Sequence, residues 1–391
     1  MQMSILGVVV RGVKTPIIQR GDDLVEAVFN SMTEAIRQSG EKLEKSDIVA
    51  VTESIVSKAE SNFVTLDVIA EDVRQKLGGG EVGVLFPILS RNRFINVLKA
   101  ICSGAGKVYV QLSYPFDEVG NPLMDDENLD ECKDQLHELL KQGAIPLSKF
   151  RQVAGEYTHK FTGMDYAAAY QDVCDNVEVV ISNNPRHMLQ LTKNILVAQI
   201  HERFKTKKRL LKADGTANIL TLCNIMDKPL HNSGYNESFG LLGSNLSTSD
   251  ELKLFPRDSK AFVLNLQRKF TEHLGYSPEI MVYGDGAFKD PVCGIWELAD
   301  PVVSPYYTDG LAGSPNEIKL KYLAETLKGT DLETKVKEAI ASKNVRNNFS
   351  EGTTPRRYHD LVGSLCDLTS GSGDKGTPVV WIKGYWSDYA S

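Results

Sequence analysis

The chain has 391 residues, 42% of them hydrophobic and 24% charged, with a formal net charge of −7. That length affords a sizeable core and two or three domains, and the composition excludes wholesale disorder. The acidic balance argues against a nucleic-acid coat, and six scattered cysteines without a CxxC pair argue against a disulfide scaffold or zinc ribbon.

The first apolar run, 4–10, has no charged region before it and reads as a buried strand, not a signal peptide. Pro16 keeps 14–18 extended. Asp22 is the expected cap of a helix whose Leu24, Val25, Val28, Phe29, Met32 and Ile36 share one face, with Gly40 ending it. Residues 47–52 read as a strand with 53–58 at its carboxyl end. A helix follows over 64–77, stopped by Gly78. In the middle, 108–112 is an expected strand, an acidic run opens a helix from 125 to about 141, and helices are expected to dominate as far as 205. A basic cluster, 205–209, precedes a short strand at 219–223. The last third alternates again: helix 259–273, strand 279–283, a helix over 318–341 broken near Gly329, helix 359–368 and strand 378–382. The pattern predicts an α/β (α+β) fold, a mixed sheet with flanking helices. No apolar run approaches the ~20 residues that span a bilayer, so reducing cytoplasm is the expected compartment.

Three segments carry candidate chemistry. Asp285 follows a strand between Gly284 and Gly286, where α/β sheets gather ligands and a carboxylate suits Mg²⁺. A plain Asp-Gly turn explains the same residues. Ser370-Gly371-Ser372-Gly373-Asp374-Lys375-Gly376-Thr377 holds a literal GxGxxG, but a helix precedes it and a strand follows, the reverse of a dinucleotide fingerprint. Either a glycine-rich loop with amides open to a phosphate or a simple connection fits. Glu53-Ser54 and Lys58, just past a strand, offer a hydroxyl and a point charge for phosphate oxygens, or a solvated turn. The seven histidines make no HExxH and no serine stands in GxSxG, so a zinc peptidase or hydrolase is not indicated.

Taken together and in order, these segments resemble the coenzyme F(420)-0:γ-glutamyl ligase family. The likeness rests on Pro16-Ile17-Ile18 and Gly21-Asp22-Asp23-Leu24; on Glu53-Ser54 and Val56-Ser57-Lys58-Ala59-Glu60; on Ser244-Asn245 and Leu254-Phe255-Pro256; on Asp285; and on Asp360 with the run from Gly371 to Val380. It implies a nucleotide- and metal-dependent amide ligase. Such an enzyme phosphorylates a carboxylate acceptor with GTP (or ATP) and joins L-glutamate or another amine to the acyl phosphate. Thr15, Pro16, Ile17, Ile18, Glu53, Ser54, Lys58, Asn245 and the loop from Ser370 to Thr377 would contact the nucleotide. Asp285 and Lys58 would be catalytic, and Asp285 would hold Mg²⁺ or Mn²⁺. A homodimer is expected, without nucleic-acid or membrane partners.

Three acidic or hydroxyl positions of the family are replaced here, by Leu242, Gly286 and Ser372. Residues 61–235 carry no likeness. The expected organisation is therefore a ligase-like core, 1–84 and 216–391, around a mostly helical insertion, 85–215. The alternative function is a regulatory or scaffold protein that kept the fold and nucleotide but lost catalysis.

Overall fold

The computed structural model describes residues 7–91, 93–160, 162–285, 288–289, 296–297, 301–313, 320–327, 331–342, 356–371 and 373–386. The chain divides into two compact units. One comprises Met1–Glu60, Asp258–Gly286 and Val302–Ser391, and the other Ser61–Arg257 and Ala287–Pro301. Both are α/β in character. The segment 85–215 lies inside the second unit, whose bounds are wider.

The first unit is organised by strand Ile48–Thr52, buried at all five positions. A continuous apolar, β-branched run suits a strand covered on both faces. It pairs parallel with Glu279–Tyr283 and antiparallel with Val379–Lys383. Val9–Val13 and Tyr306–Tyr307 complete a mixed five-stranded sheet at its two edges. Alternate residues serve opposite faces. Val49, Val51, Ile280, Val282 and Trp381 cluster with side chains of helices Leu24–Ser39 and Ser259–Leu274. Ile48, Ala50, Met281, Tyr283 and Ile382 cluster with Val362 and Cys366 of helix Tyr358–Ser370.

Asp47, 1% exposed, holds this sheet in register. Its carboxylate accepts from Trp381 Nε1 at 2.9 Å, Lys383 Nζ at 2.9 Å and the Glu44 amide at 3.0 Å. Local rules fix the first helix. Gly40 ends it at φ 68°, with its amide on the Ile36 carbonyl. Its cap is Asp23, which accepts from the Glu26 amide at 3.0 Å, and not the expected Asp22. Asp22 accepts from Gln19 at 2.6 Å instead, closing the turn before the helix. The first strand lies at Val9–Val13, later than 4–10, because its ends are set by pairing with Val379–Lys383. Residues 4–6 of that expectation lie outside the described residues.

The second unit corrects the expectation of a mostly helical middle. Its sheet has six strands in the order Ile145–Pro146, Val177–Ile181, Lys107–Leu112, Glu81–Leu85, Asn194–Val197, Asn218–Thr221. All neighbours pair parallel except the first two. Val177–Ile181 (VEVVI) and Asn194–Val197 (NILV) fall within the stretch read as helical. Short apolar runs in parallel strands lack the alternation that marks a half-exposed strand, so periodicity does not separate them from buried helix. Strands Glu81–Leu85 and Asn218–Thr221, which flank 85–215, belong to the same sheet. Among the described residues no helix is long and apolar enough to cross a membrane.

Asp47→Ala should lower the unfolding free energy by about 3–5 kcal/mol, because it leaves the partly buried Lys383 ammonium without its carboxylate. Urea titration measures this, and a loss below about 1 kcal/mol would show that the pair does not hold the register. A second expectation concerns acid. His359, 7% exposed, stacks on Tyr307 at 4.2 Å, and burial lowers its pKa from the ordinary 6.5. Burial lowers His187 in the second unit likewise. An imidazole with a depressed folded pKa costs nothing while both states are neutral. Below pH 6.5 the unfolded chain takes up the proton first, so stability should fall as pH drops through that point. Melting curves between pH 8 and 5 should show the fall, and His359→Phe should flatten it.

Candidate functional site

Four segments meet at one edge of the first unit's sheet. Thr52, the last residue of its strand, lies opposite Tyr283, and its amide donates to the Pro378 carbonyl at 3.0 Å. Val13 lies opposite Val379. The residues after Val13, after Thr52 and after Tyr283, and those before Val379, therefore leave the sheet on the same side. These are Thr15–Ile18, Glu53 with Ser54, Asp285, and the loop 370–377.

Each is positioned by a local device. The Thr52 hydroxyl caps helix Glu53–Ala59 by accepting from the Ser54 amide at 3.4 Å. That turns the chain at the sheet edge and leaves Glu53 buried there. Lys58, on the last turn of the same short helix, is half-buried and makes no ion pair with any described residue. Thr15 donates to the Pro16 carbonyl at 2.9 Å. Ile18 is buried, whereas Ile17 is 82% exposed, an apolar side chain presented to solvent from a loop its neighbour anchors. Asp285 is half-buried, two residues past the strand, and the Gly284 amide is held by the Val303 carbonyl at 2.8 Å.

The loop 370–377 is fastened at its start by a buried hydrogen bond of 2.5 Å between the Tyr283 hydroxyl and Ser370 Oγ. Burial pushes the Tyr283 phenol well above its usual range, so it stays protonated and able to donate. Gly371 ends helix Tyr358–Ser370 at φ 57°. Within the loop, the amides of Gly373 and Lys375 donate to the Ser370 carbonyl, that of Asp374 to Gly371 and that of Gly376 to Gly373. These amides close turns, and positive φ at Gly371, Gly373 and Gly376 accounts for the glycines. What the loop offers outward is side chains: Asp374 and Lys375 are exposed. Ser372 and Gly286 lie outside the described residues.

Asn245 and Leu242 are carried by the second unit. Asn245 begins strand Asn245–Leu246, opposite Lys253. Leu242 is 2% exposed within an apolar cluster. Among the described residues no three His, Cys, Asp or Glu side chains converge as a ready metal centre. The Tyr283–Ser370 bond, which ties Asp285's strand to the glycine-rich loop, carries no signal in sequence spacing. The two residues are 87 positions apart.

A model of the F420-0:Gamma-glutamyl ligase family matches residues 12–384. The chain belongs to that family. The matched range runs through the middle of the chain, including 61–235, where the residue-by-residue likeness stops. No curated protein matches the chain. Within this γ-glutamyl ligase family member, four of the segments that carry the sequence resemblance in the first unit, Pro16–Ile18, Glu53-Ser54, Asp285 and the run from Gly371, leave the sheet on the same side.

Proposed function

We propose that the protein is a nucleotide- and metal-dependent ligase that joins L-glutamate or another amine to a carboxylate acceptor through an acyl phosphate. The observation that carries the reading is the convergence of residues 15–18, 53–54, 285 and 370–377 at the carboxyl end of two parallel strands, in a chain of this family. Ligands of α/β sheets gather at such ends.

The residues present fit a nucleoside triphosphate with a divalent cation. Asp285 and Glu53 follow neighbouring parallel strands and bring hard oxygen ligands to the same edge. One or two carboxylates are the usual protein share for Mg²⁺, whose other ligands are phosphate and water oxygens. A cation held there neutralises charge that develops on the transferred phosphoryl group. Lys58 and Lys375 supply point charges for phosphate oxygens, and exposed Ile17 gives a base an apolar surface. The glycine-rich loop acts through Lys375 and Asp374, since its described turn amides already have partners. The acceptor carboxylate attacks the terminal phosphorus and the nucleoside diphosphate leaves. The amine nitrogen then attacks the acyl carbon, phosphate leaves, and the amine gives up a proton.

One observation favours the second reading, a nucleotide-binding protein without turnover. Leu242 stands where the family resemblance calls for a metal-binding Asp, and it is a core side chain that cannot ligate. Asp285 then matters the more.

Asp285→Asn keeps the shape of the side chain and removes its charge. If Asp285 holds the cation, metal-dependent GTP or ATP binding should fall by orders of magnitude, while the melting temperature of the unliganded protein barely moves. A half-buried turn position usually changes stability by no more than about 0.5 kcal/mol. Unchanged nucleotide affinity in the presence of Mg²⁺ would make Asp285 a turn residue and remove the ligase reading's central support.

A further inference from the structure

The first unit's sheet edge carries one more polar feature, the start of helix Ser259–Leu274. The helix has 16 residues and leads into the five-residue strand Glu279–Tyr283. At about 1.5 Å per helical residue and about 3.3 Å per strand residue, it spans ~24 Å against the strand's ~17 Å. It lies along that strand, its Phe262, Val263 and Leu266 clustering with Ile280 and Val282. The chain just past its end is fixed near the amino edge of the sheet, where the Tyr276 hydroxyl donates to the Leu43 carbonyl. The helix therefore starts at the carboxyl edge. There the Lys260 ammonium stands 5.9 Å from the ring of Tyr306, the residue paired with Val282.

This start has unmet hydrogen-bonding capacity. The first amides of a helix have no carbonyl one turn back. Asp258 does not cap this helix with its side chain. The Asp258 amide donates to Glu60 Oε1 at 3.0 Å, whereas the amides of Ser259, Lys260 and Ala261 donate to no group among the described residues. The deciding group is Ser259. It is 4% exposed, and its Oγ is buried without a hydrogen-bond partner among the described residues. Side chains on a helix lean toward its amino end, so this hydroxyl points the same way as the open amides. Ser259 also begins the buried stripe continued by Phe262, Val263, Leu266 and Phe270, which faces the sheet. A buried hydroxyl left unpaired is destabilising, and a ligand oxygen that accepts from it removes that cost. Open amides at a helix start favour a negatively charged ligand.

We propose that this helix start holds a carboxylate of the amine substrate, which accepts from Ser259 Oγ and from the amides of Lys260 and Ala261. Glu60 and Asp258 stand at the same end, so a singly charged carboxylate fits there better than a phosphate dianion. The Lys260 ammonium offsets their charge. The assignment deepens the ligase reading and rests on it: the amine substrate becomes an amino acid and not a simple amine. Helix Ser259–Leu274 and helix Tyr358–Ser370, which feeds the glycine-rich loop, cover opposite faces of the sheet. The amino acid is thus held from one face, and the loop's side chains act from the other.

L-Glutamate and propylamine, titrated calorimetrically against the full chain with and without GTP and Mg²⁺, test the assignment. Glutamate should bind at least about tenfold more tightly than propylamine, since hydrogen bonds to a charged group are worth that much or more. Ser259→Ala should weaken glutamate by about tenfold and leave propylamine, and GTP with Mg²⁺, unchanged. The same substitution should not lower the melting temperature of the unliganded protein, because the hydroxyl has no partner to lose among the described residues. Glutamate binding that ignores Ser259, or no glutamate binding in either condition, would overturn the assignment even where GTP with Mg²⁺ binds normally. Inorganic phosphate that displaces glutamate with the same Ser259 dependence would overturn it too, by giving the helix start to the nucleotide. Ser259-dependent glutamate binding in a protein that binds no triphosphate would support the carboxylate site and sink the ligase reading instead.

Discussion

The buried carboxylate of Asp47 is the constraint on which the first unit depends. It sits at the amino end of the central strand and takes hydrogen bonds from Trp381 and Lys383 on the neighbouring antiparallel strand. A strand advances about 3.3 Å per residue, so fixing one end of the register fixes what leaves the other. Thr52 is thereby set against Tyr283 and beside Pro378. Glu53, Asp285 and the glycine-rich loop then emerge together. A slip of one residue would turn the valines of 48–52 to the wrong face and separate these segments.

Much of this was legible in the sequence. Helix Leu24–Ser39 announced itself through its apolar face and Gly40, and strand Glu279–Tyr283 matched its expected bounds. Errors came where long-range pairing overrides local pattern. The first strand begins at Val9 because its partner has five residues to offer. Asp22 and Asp23 are equally good caps by type, and only the turn to Gln19 decides between them. In the second unit, VEVVI and NILV lacked alternation because both faces of their sheet are covered.

The candidate site was legible as a set of residues and not as a geometry. Spacing gave Glu53, Lys58, Asp285 and the loop 370–377 as separate possibilities, each with a bland reading beside it. Their common edge follows from strand order, which no local pattern encodes. The glycine-rich loop illustrates the limit. Its glycines suggested amides open to a phosphate, yet the described turn amides bond within the loop, and the groups facing outward are Asp374 and Lys375.

The central claim is that the shared sheet edge binds a nucleoside triphosphate with a divalent cation. Thermal unfolding with GTP or ATP, each with and without Mg²⁺, tests it most directly. A ligand at about 100 times its dissociation constant stabilises a protein by roughly 2.7 kcal/mol. The account requires a rise in melting temperature with triphosphate and Mg²⁺ together, and little or none with either alone. No rise with any triphosphate, whatever the cation, would contradict it.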